Sequence, residues 1–178
     1  MRILLIPFFT FISFNPLTCS SFADSRLLEA FPLSQIRSSA AGWKYSQSQS
    51  TAGDITYRAT LISTNMIEFS YPYAGGTNVS LTIRKTKGDR YVYLEVEKGL
   101  FTRSFQNGSA QVQFDGQKPI IYSLSAAANG RANIVFFEKE AKLIEQMKRA
   151  KNMVVNLSFA GQKPREIKFQ IAGLRWNH

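Results

Sequence analysis

Side chains able to carry chemistry are scarce in this chain. Its 178 residues include one cysteine and one histidine, and both stand near the ends, at Cys19 and His178. That leaves no ligand set for a zinc cluster. A histidine at the last position is expected to be mobile and poorly placed as a base or ligand. No G-x-S-x-G elbow, G-x-x-x-x-G-K-[ST] loop or H-E-x-x-H pair occurs. Gly75-Gly76 reads as a tight turn, because no helix follows it to hold a phosphate. Acidic residues are few as well, 12 against 22 Lys and Arg. The expectation is no catalytic residue, no metal and no cofactor.

The N-terminus has the composition of an export signal. Arg2 supplies a positive start, Ile3 to Leu17 are strongly apolar, and Ser21-Phe22-Ala23 offers small residues for cleavage after Ala23. A lipid anchor on Cys19 is the weaker alternative, since Thr18 and Pro16 occupy positions where a lipoprotein signal carries a small residue and leucine. A membrane-spanning helix needs about 20 apolar residues, and Pro16 interrupts this run. Residues 1–23 are therefore expected to be a cleaved signal peptide, with the mature chain periplasmic in a bacterial host and without a stable membrane span. Removing Arg2 takes the formal net charge from +10 to +9. No cysteine remains, so the core alone must hold the fold. The basic excess attracts anionic partners such as phosphate head groups, lipopolysaccharide or acidic protein faces, and it serves solubility equally well.

Beyond the signal, no repeat of about 20–50 residues is present. Residues 24–56 read as an N-terminal segment with a flexible loop at 46–53, SQSQSTAG, preceded by an early strand at Trp43-Lys44-Tyr45. From Tyr57 onward apolar residues alternate, with turn residues every 8–12 positions. Val79, Leu81 and Ile83 fall on one face against Asn78, Ser80, Thr82 and Arg84. Val92, Leu94 and Val96 do the same against Tyr91, Tyr93, Glu95 and Glu97. Gly88 and Asp115-Gly116 mark hairpins and Asn129-Gly130 a further turn. Residues 138–152 read as one helix with Ala141, Ile144, Met147 and Lys148 on a face beside Leu143. Its acids lie early and its bases late, complementing the helix dipole. The fold class expected for 57–178 is mainly β: an antiparallel sandwich, or flattened barrel, of about 8–9 strands with one packed helix.

The best carboxylate pair is Glu95 with Glu97, on one strand face about 7 Å apart, a separation compatible with two-carboxylate hydrolysis but also with an ordinary solvent face. Basic residues offer a second kind of site. Arg84, Lys85, Lys87 and Arg90 cluster in the first long hairpin, and Lys142 and Arg149 lie on the helix. The hairpin is preferred, because its charges have fewer evident structural duties. Phe69, Tyr71, Tyr73, Tyr91, Tyr93, Phe101 and Phe105 beside Arg84, Lys85, Lys87 and Arg103 could stack bases, as in single-strand binders; export argues against nucleic acid. N-x-[ST] triplets at Asn78, Asn107 and Asn156 are chance matches in a bacterial protein.

Several stretches resemble a known group. Phe114-Asp115-Gly116-Gln117-Lys118-Pro119, Lys148-Arg149-Ala150-Lys151 and Phe169-Gln170-Ile171-Ala172-Gly173-Leu174, spread over about residues 60–175, are similar to small periplasmic proteins of Gram-negative bacteria. The groups in question are the invasion-associated locus B family and the TagO/VasI-like accessory proteins of type VI secretion. The resemblance implies a non-enzymatic envelope accessory protein with a protein partner, linked to a secretion or conjugation apparatus. Many of those relatives carry a cysteine pair near the position of Phe101 to Phe105. Here packing must substitute for it. The competing function class is a ligand-binding or hydrolytic protein using Glu95 and Glu97, or a binder of anionic envelope polymers.

Overall fold

Alternation of apolar residues dictates a sheet with one covered face, and the strands follow it. The computed structural model describes residues 42–101 and 108–178. The expectations for the signal peptide, Cys19, Arg103, Phe105 and Asn107 lie outside these residues. Strands β1 (Lys44–Gln49), β2 (Ile55–Ile62), β5 (Val79–Thr86), β6 (Asp89–Val96), β7 (Gly108–Phe114), β8 (Ile120–Ala126), β9 (Ile134–Phe137), β10 (Asn152–Leu157) and β11 (Arg165–Gln170) form one sheet. Its order is β1-β2-β5-β6-β9-β8-β7-β10-β11, and every pairing is antiparallel. The short strands β3 (Ile67–Phe69) and β4 (Gly75–Thr77) pair separately. The mainly β class holds. Nine of the strands belong to one continuous sheet that does not close into a barrel.

The core row runs across the sheet in register. Leu61 faces Leu81, Leu81 faces Leu94, and Leu94 faces Val135; all four are buried. On the other side of the sheet order, Val112 faces Val155 and Val155 faces Ile167, again fully buried. Each expected hairpin is present. Thr86 pairs with Asp89 around Lys87-Gly88, whose φ values are 49° and 99°. That is the left-handed pair a two-residue turn of type I′ requires, and it matches the twist of the flanking strands. Phe101 and Phe159 form an isolated bridge and stack with centroids 5.0 Å apart; Phe69 meets Phe159 edge-on at 5.1 Å.

Three local expectations change. The polar SQSQ stretch is not a loop, because Ser46–Gln49 complete β1 and pair with β2 from Arg58 back to Ile55; backbone pairing overrides the low strand propensity of its residues. The helix is shorter than 138–152. It spans Glu140–Arg149, since Lys139 takes a left-handed φ of 58° and the Glu138 amide donates to Ser123 O at 2.9 Å. Leu143, Ile144 and Met147 are its buried residues, while Ala141 and Lys148 are exposed. Finally, His178 is not free. Its ring stacks on Tyr57 at 3.7 Å and its carbonyl accepts from Arg90 at 3.0 Å.

The two ends of the sheet meet at one corner. The Thr64 amide donates to Lys168 O at 2.8 Å, and Asn65 bonds both Glu166 O and the Lys168 amide through its side-chain amide. The indole of Trp43 donates to Ile171 O at 3.0 Å. These bonds occupy the outer edge of β11 without adding a strand.

Asp115, at the β7–β8 turn, ties the hairpin to the end of the helix. Its carboxylate accepts from the amides of Lys151 and Asn152. The Asn152 amide, then that of Lys151, holds its pKa below the ordinary 3.8. A depressed folded pKa means that its contribution is full above the unfolded value and lost as pH falls through the folded one. Asp115→Ala should therefore lower the thermal midpoint at pH 7. The difference from the unsubstituted chain should shrink as pH falls below about 3.8, the ordinary carboxyl value. Melting curves across that range check it, and a gap that persists unchanged into acid would refute the carboxylate's role.

Candidate functional site

The sheet face opposite the core is built in three rows. Ser46, Arg58, Arg84 and Tyr91 are successive cross-strand partners on β1, β2, β5 and β6. Beside them run Thr60, Thr82, Tyr93, Phe136 and Ser125, and then Ile62, Ser80, Glu95 and Ile134. Alternation leads one to expect an ordinary solvated face. It is not one: Thr82 is 3% exposed and Tyr93 8%. Tyr93 packs on Phe136 with centroids 5.3 Å apart, and Tyr91 meets Phe136 edge-on at 5.9 Å. Long side chains on this face cover aromatic rings, as snorkelling arginine stems do.

Two concavities share this face. One, of about 450 Å³, is lined by Arg58, Arg84, Tyr93, Glu95, Arg131 and Phe136 among others. The next, of about 500 Å³, is lined by Arg84, Arg90, Tyr91, Phe136, Glu138 and Lys139 among others. Arg84 and Phe136 line both, so the two read as one trough. The guanidinium of Arg84 lies 4.9 Å from the centre of the Tyr91 ring, a cation–π distance. Its Nε is buried without a hydrogen-bond partner. Neither Arg58 nor Arg84 forms an ion pair among the described residues.

The six expected basic residues do not form one patch. Arg84 faces the trough. Lys85 and Arg90 are cross-strand partners in the row with Tyr57, on the core side, although Arg90 also lines the trough's far end. Lys87 sits in the turn and pairs with Asp54 at 2.7 Å. Hairpin charges thus do have structural duties, contrary to the reason for preferring them. Lys142 is exposed on the helix, and Arg149 lines a different hollow with Asp115 and Lys118. The aromatic set divides likewise. Phe69 and Phe101 belong to the core, while Tyr71 and Tyr73 are exposed beside the small β3–β4 sheet.

Glu95 and Glu97 do line a common concavity, of about 670 Å³, with Asn78, Lys98 and Asn133. Glu95 Oε1 is held by Arg131 Nη2 at 2.7 Å, a partner the sequence did not suggest, and Glu97 is exposed. Two-carboxylate hydrolysis needs one acid in a dry apolar setting, which neither has. Arg58, Arg131 and Phe136 escaped the sequence reading, because only strand order and register bring them to Arg84. Among the described residues no group of three or more His, Cys, Asp or Glu is arranged to hold a metal. No described helix is long and apolar enough to cross a membrane. No family model, curated protein or solved structure matches the chain.

Proposed function

We propose that this chain is a non-catalytic interaction protein of the bacterial envelope, exported to the periplasm, which acts through contacts made by its outer sheet face. The supporting observation is the cross-strand pair Arg58 and Arg84, two cations in register that form no ion pair among the described residues, beside Tyr91, Tyr93 and Phe136. Arg and Tyr are the residues that dominate binding energy at interfaces. The partner is an acidic surface of an envelope protein, in a secretion or conjugation apparatus as the resemblance implies. A hydrolytic or ligand-binding role for Glu95 and Glu97 is the second reading, favoured by their shared concavity.

Capture of partners from cross-linked envelope separates the two. The double variant Glu95→Gln with Glu97→Gln should retain the captured partner. Arg58→Ala with Arg84→Ala should lose at least about tenfold in affinity, with wild-type binding falling steeply as salt screens the contact. The reverse pattern, essential carboxylates and dispensable arginines, would hand the assignment to the second reading.

A further inference from the structure

Like charges directly opposite on neighbouring strands destabilise a sheet, and a buried donor without an acceptor costs free energy. The outer face carries both features at one residue. Arg84 faces Arg58 across the ladder, and its Nε is buried and unbonded. The only carboxylate in the first concavity, Glu95, is held by Arg131. An oxyanion from outside the chain, held by the two guanidinium groups, would neutralise the Arg58–Arg84 pair; the buried Nε, closed to solvent, is not the atom it would reach.

The shape of the trough says what that oxyanion is attached to. Its two concavities, of about 450 and 500 Å³, lie within the range of small-ligand sites, about 300–1,000 Å³. Tyr93 and Phe136 line the hollow next to the arginines. Guanidinium groups bind carboxylate and phosphate through paired, parallel N–H donors, which an ammonium cannot reproduce. We propose that the trough binds a phosphate or carboxylate borne on a flat ring, with the oxyanion between Arg58 and Arg84 and the ring along Tyr93 and Phe136. This rests on the outer face being the contact surface, and it adds a ring-borne oxyanion as a ligand of the same two arginines.

Phenyl phosphate, inorganic phosphate and phenol titrated onto the full chain, followed by calorimetry, test the proposal. Phenyl phosphate should bind about tenfold more tightly than inorganic phosphate, since ring contacts of this kind add about that much, and phenol should not bind. Arg58→Ala and Arg84→Ala should each weaken phenyl phosphate about tenfold or more, the usual loss when a charge-assisted bond goes. Arg84→Lys should fall nearly as far as Arg84→Ala. Should the Arg84 variants unfold, Arg58→Ala, at an exposed position on β2, carries the measurement. Equal binding of the two phosphates, wild-type affinity in Arg58→Ala, or no binding of phenyl phosphate overturns the site. If it falls while partner capture still depends on both arginines, the contact surface stands without it.

Discussion

Leu94→Ala should lower the unfolding free energy by about 3 kcal/mol and the thermal midpoint by about 10 °C. Leu94 lies near the middle of the nine-stranded sheet, fully buried between its partners Leu81 and Val135. Three side-chain carbons are lost, and the flanking strands cannot collapse into the space, because both neighbours belong to the same ladder. The cost is thus the transfer of those carbons together with the cavity they leave. Denaturant titration followed through Trp176, which is 2% exposed, reads the change directly. Ile121→Ala is the companion measurement, since Ile121 is 71% exposed and should stay within about 0.5 kcal/mol of the parent. A Leu94 variant as stable as the Ile121 one would mean that the core has been assigned to the wrong sheet face.

Gly99→Ala should be nearly as damaging, by about 3 kcal/mol from left-handed backbone strain together with overpacking. Gly99 has a φ of +86°, and an added Cβ would lie 2.6 and 2.7 Å from Cε2 and Cζ of Phe69. Phe69 cannot step aside, because it is buried and set edge-on against Phe159. Gly76→Ala gives the contrast. There the added carbon would touch the end of the Met66 side chain, which is 60% exposed and flexible enough to swing away. Gly76→Ala should therefore cost far less. Equal losses in the two variants, measured by the same denaturant titration, would show that ring crowding at Phe69 is not the cause.

Period-two alternation makes the strands legible in the order of residues alone, and Lys87-Gly88 and Asp115-Gly116 make two hairpins legible with them. Both signals are local: a side-chain period and a turn that demands left-handed backbone. The burial of Tyr93 is not legible in that way. It depends on β9 lying beside β6 and bringing Phe136 opposite, although about 40 residues of chain separate the two. Arg58 and Arg131 escape for the same reason, since neither sits in a charge cluster along the chain. A cluster in sequence, such as Arg84 with Lys85, places alternate residues on opposite faces of a strand. Proximity along a strand therefore argues for a patch that the pleat divides. The SQSQ stretch fails differently, because low intrinsic strand propensity is overruled by an available partner edge on β2.

The cap that Thr64 and Asn65 place on β11 sets a limit on assembly. Growth of a fibre by edge addition needs two open edges on every copy, one to receive and one to offer, because a heterologous contact propagates only when both halves are free. Here the amide and carbonyl of Lys168 and the carbonyl of Glu166 are already bonded to the 64–65 segment. Whatever strand another molecule adds at the β1 end of the nine-stranded sheet, the capped stretch of β11 does not offer a second end from which to continue. Edge pairing through the nine-stranded sheet is thereby directed to its β1 side.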